Sequence, residues 1–114
     1  MNRNLSIGMG RPVPKVAVIV LNWNGRDDTV QCLESLSRAD YGNVEVVVVD
    51  NGSHDDSVAV IRARFPFVTL LETGQNLGYA GGNNVGIRHA VQSGSEYVLL
   101  LNNDTVTAPD FFES

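Results

Sequence analysis

Residues 97–104 read YVLLLNND: an apolar run with strand character stops abruptly on two asparagines and an aspartate. Two earlier runs end in the same manner, VAVIVL at 16–21 on NWNG at 22–25 and VEVVVV at 44–49 on DNGS at 50–53. Nearly continuous apolar runs are typical of parallel strands that are buried on both faces. Ligands of open α/β sheets bind just beyond the carboxyl ends of such strands. The three polar clusters therefore predict one shared binding site.

Helical patterns separate these runs. They predict helices at about 28–38, from 53–55 to 65, and from about 85 to 93, with a short third strand at 68–71. Asp28 with Gln31 resembles a capping box, and Ser53 or Asp55 can cap the second helix. The Gly- and Asn-rich stretch 74–84 predicts a loop, and PD at 109–110 predicts the start of a further helix. The alternation predicts an α/β fold, an open parallel sheet in strand order 3-2-1-4 with helices on both faces.

Length and composition narrow the class of protein. A chain of 114 residues, 43% hydrophobic and 18% charged, suits one soluble globular domain. Residues 1–14 predict a mobile tail ahead of a domain at 15–114. The net charge of -5 disfavours nucleic-acid binding. We expect a cytoplasmic protein without a membrane segment, because no apolar stretch could span a bilayer, no signal peptide is visible, and the single Cys32 suits a reducing compartment.

Two carboxylates are candidates for chemistry. Asp50 can accept hydrogen bonds from a nucleotide base or ribose, or it can be an ordinary turn residue. Asp104, beside amide side chains, suits a divalent cation such as Mg²⁺ or Mn²⁺ next to a diphosphate, or it simply closes a turn. His54 and His89 lie apart in the sequence and do not predict a zinc site.

The stretch TGQNLGYAGGNNVG at 73–86 predicts a second part of the site. Its glycines allow close backbone approach, and the N-terminus of the following helix attracts an anion such as a diphosphate. A flexible connection between strand and helix is the alternative. The stretch lacks the G-x-G-x-x-G pattern after a first strand, which argues against a dinucleotide. Trp23 and Tyr79 can stack on a base or sugar, although partial core packing is the simpler role for Trp23.

Four segments taken together resemble the family 2 glycosyltransferases of the GT-A fold. They are VAVIVLNWNG at 16–25, VVVVDNGSHDDS at 46–57, NLGYAGGNNVGI at 76–87 and LLLNNDTV at 99–106. The pattern N-x-G-x-A-G-G-x-N at 76–84 is similar to a subgroup of bacterial rhamnosyltransferases of cell-surface polysaccharide assembly. The resemblance implies the nucleotide-binding half of that fold, with a UDP- or dTDP-sugar as donor.

The resemblance assigns roles position by position. Asn22 and Asp50 fall where the family contacts base and ribose, and the segment from Asn76 closes over the nucleotide. Asp104 matches the last aspartate of the D-x-D metal motif, whose first position is Asn102 here, so Mg²⁺ or Mn²⁺ is the implied cofactor. The predicted nucleotide-sugar contacts are Asn22, Asn24, Asp50, Asn51, Ser53, Asn76, Gly78, Gly81, Asn83 and Asn103, and the predicted metal ligand is Asp104.

The family's acceptor-binding half and catalytic base follow the D-x-D motif, and nothing up to Ser114 matches them. We therefore expect a fold that is truncated at its C-terminus. It would be the donor-binding half of an inverting enzyme that transfers a sugar to a saccharide or lipid-linked acceptor. This half alone is expected to be inactive. The parent enzyme would be cytoplasmic, with association at the inner face of the membrane as a further option.

Other interpretations stay open. The chain could be a non-catalytic nucleotide-binding or regulatory module. A receiver-type signalling domain ranks last, because it needs paired acids where this chain has NWN at 22–24. The last strand has no Lys or Pro and predicts an edge through which two copies pair as a homodimer. Alternatively, residues 108–114 fold back over that edge with Phe111 and Phe112.

Overall fold

The computed structural model describes residues 13–110 and 112. Its strands are β1 (Val16–Asn22), β2 (Val44–Asp50), β3 (Thr69–Glu72) and β4 (Tyr97–Leu101). Its helices are α1 (Arg26–Ser37), α2 (Ser57–Arg64) and α3 (Gly78–Gln92). The strands form one 4-stranded sheet in the order β3-β2-β1-β4, and all three pairings are parallel. The predicted fold class and strand order are confirmed.

Helices cover both faces of the sheet, as predicted. On one face, Val18 and Val20 of β1 pack with residues of α1 and α2 that include Leu33 and Ile61. On the other face, Ile19 of β1 packs in a smaller cluster that α3 completes. Because the two central strands are covered on both sides, their runs could be apolar at nearly every position.

The predicted loop at 74–84 is wrong from Gly78 onward, where α3 already begins. Glycine has low intrinsic helix propensity, so the sequence pattern favoured a loop. The structure provides the compensating packing. A Cβ atom at Gly82 would lie 2.5 Å from Leu21 Cδ1, and one at Gly86 would lie 2.7 Å from Ile19 Cγ2. The glycines therefore let α3 lie closer to the sheet than any other residue would allow.

The predicted helix starts need correction. Helix α1 begins at Arg26, and the Gly25 carbonyl accepts its first backbone hydrogen bond from Thr29, so Asp28 is not its cap. Ahead of α2, Asp55 Oδ1 accepts a hydrogen bond of 3.0 Å from the Ser57 amide. Ser53 does not cap α2; its hydroxyl contacts the end of β2 instead.

Glu45 of β2 fixes the C-terminal end of α3 to the sheet. One carboxylate oxygen lies 2.9 Å from His89 Nε2 and accepts a hydrogen bond of 2.8 Å from Thr69, while the other lies 3.5 Å from Lys15 Nζ. Burial opposes ionisation of Glu45, but hydrogen bonds from His89 and Thr69 and the charges of His89 and Lys15 outweigh it and lower its pKa. His89 therefore helps to hold α3 to the sheet, at the edge opposite the polar clusters.

Strand β4 lies at one end of the sheet and leaves much of Tyr97, Val98 and Leu100 exposed. The described part of the C-terminal segment contacts α1 and the residues after it: the Thr107 amide donates to Ser35 Oγ at 3.0 Å, and the Pro109 carbonyl accepts from the Asp40 amide at 2.9 Å. The homodimer stays a prediction. Residues 109–110 form a turn, and position 111 and positions 113–114 lie outside the described residues, so a helix start there is not tested.

Most of the predicted tail, residues 1–12, also lies outside the description. Its last two residues are held: the carbonyls of Val13 and Pro14 accept hydrogen bonds from Asn43 and Tyr41. Within residues 13–110 and 112, no helix has the length and apolar character needed to cross a membrane.

We expect Gly86→Val to lower the free energy of unfolding by about 2 kcal/mol, because the new methyl groups must displace Ile19 or lift α3 from the sheet. Gly42→Val is the matched control, since a Cβ atom there meets nothing within 4 Å. Urea titrations followed by circular dichroism measure both variants. Equal stabilities for the two variants would contradict the close packing of α3.

Candidate functional site

The polar ends of β1 and β2 form one buried network. Asn22 lies opposite Asp50 in the parallel register, and its Nδ2 donates to Asp50 Oδ1 at 2.8 Å and to Ser53 Oγ at 3.2 Å. Asn22 Oδ1 accepts a hydrogen bond of 2.6 Å from the Thr29 hydroxyl. The carboxylate of Asp50 is 3% exposed and also accepts hydrogen bonds from the Ser53 amide and hydroxyl. The hydrogen-bonding groups of these side chains are therefore mainly used within the network.

Asn24 joins the loops that follow β1 and β2. Its backbone has a φ of 51°, a left-handed conformation that asparagine tolerates better than most residues. Its side-chain Oδ1 accepts hydrogen bonds from the backbone amides of His54 and Asp55, at 2.7 and 3.2 Å. Its backbone N–H donates to Ser53 Oγ at 2.9 Å. The two loops therefore form one surface at the carboxyl edge of the sheet.

Asn51 organises the segment between β3 and α3. Its side chain is 2% exposed. Its Nδ2 donates to Asn76 Oδ1 and to the Gly78 carbonyl, both at 3.1 Å, and its Oδ1 accepts from the Leu77 amide at 3.1 Å. The amide group is thus fully used inside the protein. This arrangement suits a residue that holds the start of α3 in place.

A cavity of about 310 Å³ opens beyond the ends of β1 and β4. Trp23, Tyr79, Asn83 and residues 102–104 line it. The aromatic side chains are 51% and 64% exposed, so the simpler packing role considered for Trp23 is wrong. Asp104 lines this cavity but Asp50 does not, and the two carboxylates therefore share an edge of the sheet without facing a common cleft.

Asn83 lines this cavity and carries an unused hydrogen-bond donor. The residue is 5% exposed, and its buried Nδ2 has no hydrogen-bond partner among the described residues. An unpaired buried donor costs about 1–3 kcal/mol. Asn83 lies in the second turn of α3, close to the N-terminus of the helix, where free backbone amides attract anions. The donor suits an oxygen atom of an anionic ligand.

The loop after β4 carries Asp104, which is exposed, and Asn103, whose Nδ2 donates to Thr29 Oγ1 at 3.1 Å. Among the described residues, no three His, Cys, Asp or Glu side chains are grouped as metal ligands. A single carboxylate fits Mg²⁺ or Mn²⁺ when a ligand's phosphates and bound waters supply the remaining bonds. Burial raises the pKa of the Cys32 thiol to about 11, and the charge of Asp104 adds to the rise.

The structure separates the predicted contact residues into three groups. Asn22, Asn24, Asp50 and Ser53 form the first network, Asn51, Asn76 and Gly78 form the second, and Asn83, Asn103 and Asp104 line the cavity. Gly81 lies on α3, where a Cβ atom would be 2.9 Å from Leu77 Cβ.

Two residues that shape this site, Thr29 and Gly25, were not predicted from the sequence. Thr29 is fully buried in α1, and the only signal was a hydroxyl on an otherwise apolar helix face. At Gly25, a Cβ atom would lie 2.6 Å from Asn103 Nδ2.

Comparison with known proteins finds relatives of this chain in sequence and in fold. The sequence profile of glycosyl transferase family 2 matches residues 17–114. The succinoglycan biosynthesis protein ExoO of Rhizobium meliloti (strain 1021) is 34% identical over 99 residues. That alignment covers 86% of this chain and 28% of the relative, so this chain spans less than a third of the relative's length.

Two solved structures share the fold. The mannosyltransferase PcManGT from Pyrobaculum calidifontis, solved in complex with GDP-Man and Mn²⁺, aligns with a TM-score of 0.73 at 28% identity. The alignment covers 87% of this chain and 32% of that one. Residues 1–349 of S. aureus TarS, in complex with UDP-GlcNAc, align with a TM-score of 0.75 at 27% identity, over 87% of this chain and 29% of that one.

We expect Asn51→Leu to release the segment from Thr73 to Gly78, because leucine keeps the branched shape of asparagine but is bulkier and leaves the buried polar groups around it unpaired. The free energy of unfolding should fall by about 2 kcal/mol, and the Leu77 amide should exchange its hydrogen faster. Asn84→Leu, at an exposed position of α3, is the control. Unchanged exchange at Leu77 in Asn51→Leu would refute the role of Asn51.

Proposed function

This chain belongs to glycosyl transferase family 2, and we propose that it binds the nucleoside diphosphate of a sugar donor at the cavity beyond β1 and β4. The observation that carries the proposal is that Asn83, a residue lining this cavity, has a side-chain Nδ2 without a hydrogen-bond partner among the described residues. A diphosphate oxygen would accept its hydrogen bond and would benefit from the N-terminus of α3. The nucleotide-sugar complexes of PcManGT and TarS support the same ligand class.

The nucleoside would occupy the loops after β1 and β2. Trp23 and Tyr79 offer exposed aromatic faces on which a base or sugar can stack. Asn24 and Ser53 form part of the surface beside them, and the buried pair Asn22 and Asp50 holds that surface in shape. We propose a uridine or thymidine diphosphate as the nucleotide, as the resemblance implies. Calorimetric titration with UDP, dTDP, GDP and ADP ranks the four bases.

Asp104 would hold a divalent cation that the nucleotide brings with it. Mg²⁺ is commonly bound through one or two carboxylates together with substrate phosphates, and one exposed carboxylate beside the amides of Asn102 and Asn103 fits that donor set. When bound, the cation would neutralise negative charge on the departing nucleoside diphosphate. PcManGT, which shares the fold, was solved with Mn²⁺, and this supports a divalent cation in this chain as well.

The whole enzyme would be an inverting glycosyltransferase. In that reaction a base removes the proton from an acceptor hydroxyl while the nucleotide leaves from the opposite face of the sugar. We propose a saccharide or lipid-linked acceptor and a base outside residues 13–110. This chain would then bind the donor without acceptor-dependent turnover. Rhamnosyl transfer stays a prediction, as does pairing of two copies through β4.

We expect Asn83→Leu to weaken UDP binding about tenfold while leaving uridine binding unchanged, because only the diphosphate would use the amide. The same substitution should not lower the free energy of unfolding, since it removes a polar group that lacks a partner. Calorimetry with UDP and uridine, beside an Asn84→Leu control, measures the effect. Equal losses for both ligands would argue against a diphosphate at this position.

We expect Asp104→Asn to lower UDP affinity about tenfold in Mn²⁺ and to leave metal-free affinity unchanged. The asparagine keeps the shape of the side chain but removes the charge that attracts the cation. Asp110→Asn is the control, because Asp110 is also exposed and lies on the same C-terminal segment. A loss of the same size without Mn²⁺ would show that Asp104 does not act through a cation.

A further inference from the structure

A continuous path of hydrogen bonds runs under the carboxyl edge of the sheet, from Asp50 after β2 to Asn103 after β4. Asn22 Nδ2 donates to Asp50 Oδ1 at 2.8 Å, and the Thr29 hydroxyl donates to Asn22 Oδ1 at 2.6 Å. Asn103 Nδ2 donates to the Thr29 hydroxyl oxygen at 3.1 Å. Asn22 and Thr29 are both fully buried. Water therefore has no direct access to replace either group.

The directions of these hydrogen bonds fix the Thr29 hydroxyl as donor to Asn22 and acceptor from Asn103. Its single proton is given to Asn22 Oδ1, so the hydroxyl can only accept from Asn103. The amide protons of Asn22 are in turn directed to Asp50 and Ser53. A change in the charge or position of Asp50 or Asn103 should therefore alter the hydrogen bonds of Thr29, which lies between them. Buried hydrogen bonds in a chain also strengthen one another.

Gly25 provides the space that the path needs. A Cβ atom there would lie 2.6 Å from Asn103 Nδ2 and 3.4 Å from Asn22 Oδ1. Any other residue would push the Asn103 side chain away from Thr29. The backbone at position 25 has a negative φ of -119°, so conformational strain does not require glycine there. The close approach of Asn103 does.

We propose that Thr29 is a positioning residue that couples the network around Asp50 to the loop that carries Asp104. The proposal rests on the proposed function, in which the nucleoside lies at the first of these places and the cation at the second. A nucleoside that contacts Ser53 would act on Asp50, to which Ser53 donates, and through Asn22 and Thr29 on Asn103. Asp104 is the next residue. A bound nucleotide would then raise the affinity for a cation at Asp104. By thermodynamic linkage, the cation would raise the affinity for the nucleotide by the same factor.

A ligand-free measurement tests the path itself. Asp50→Asn removes the charge at one end, and the side-chain amide resonances of Asn103 report at the other. We expect Asp50→Asn to shift these resonances in the parent chain and in Thr29→Ser, which keeps the hydroxyl. No shift is expected in Thr29→Val. A shift that persists in Thr29→Val, or that is absent from the parent chain, would overturn the proposal.

Gly25→Ala gives a second variant that interrupts the path outside the core. It should abolish the shift at Asn103 as Thr29→Val does, and it keeps the test decisive if Thr29→Val does not fold. A shift that survives Gly25→Ala would count against the path. A residue that only fills the core would lower stability in Thr29→Val without changing transmission to Asn103.

Calorimetry then measures the coupling. The gain in UDP affinity on adding Mn²⁺ should fall about threefold to tenfold in Thr29→Val and stay within about twofold of the parent in Thr29→Ser. An unchanged gain in Thr29→Val would overturn the coupling. If the parent chain binds no UDP, the proposed donor function fails, while the resonance shifts of Asn103 still decide whether Thr29 links the two loops.

Discussion

The pairing of Asn22 with Asp50 is the interaction on which the carboxyl edge of this sheet depends. Both residues end buried, apolar strands, and both are withdrawn from water. A polar side chain in such a position must find a partner inside the protein, because leaving it unpaired costs about 1–3 kcal/mol. The parallel register places the two side chains together, and Ser53 and Thr29 complete their hydrogen bonds. One buried contact therefore fixes two loops and helix α1 relative to each other.

The polar residues at the carboxyl edge of the sheet differ in their burial and in the partners that their side chains use. Asn22, Asp50 and Asn51 are buried and use their side chains on neighbouring protein groups. Trp23, Tyr79 and Asp104 are exposed at the cavity, and Asn83 keeps an unpaired donor there. A site of this kind is preorganised, because the buried groups set the loop positions before a ligand arrives. Membership of glycosyl transferase family 2 and the donor complexes of related enzymes fit such a site.

Apolar runs predicted the sheet well, because their composition reflects burial on two faces, and that burial decides the fold. The start of α3 was not predictable in the same way. Low helix propensity at Gly78, Gly81 and Gly82 argued for a loop, and only contacts such as that between Gly82 and Leu21 explain why the chain is helical there. Burial of Asn51 and the contact between Thr29 and Asn103 depend on residues distant in sequence, which no local pattern records.

Paramagnetic broadening by Mn²⁺ tests the location of the proposed donor site most directly. In a ¹⁵N-labelled sample with UDP, substoichiometric Mn²⁺ should remove the amide signals of residues 102–104 and the side-chain signal of Asn83 first. Signals near Glu45 and His89, at the opposite edge of the sheet, should remain. Broadening centred instead on exposed acidic residues such as Asp27 and Asp56, or no change when UDP is added, would contradict a cation-assisted diphosphate site at this cavity.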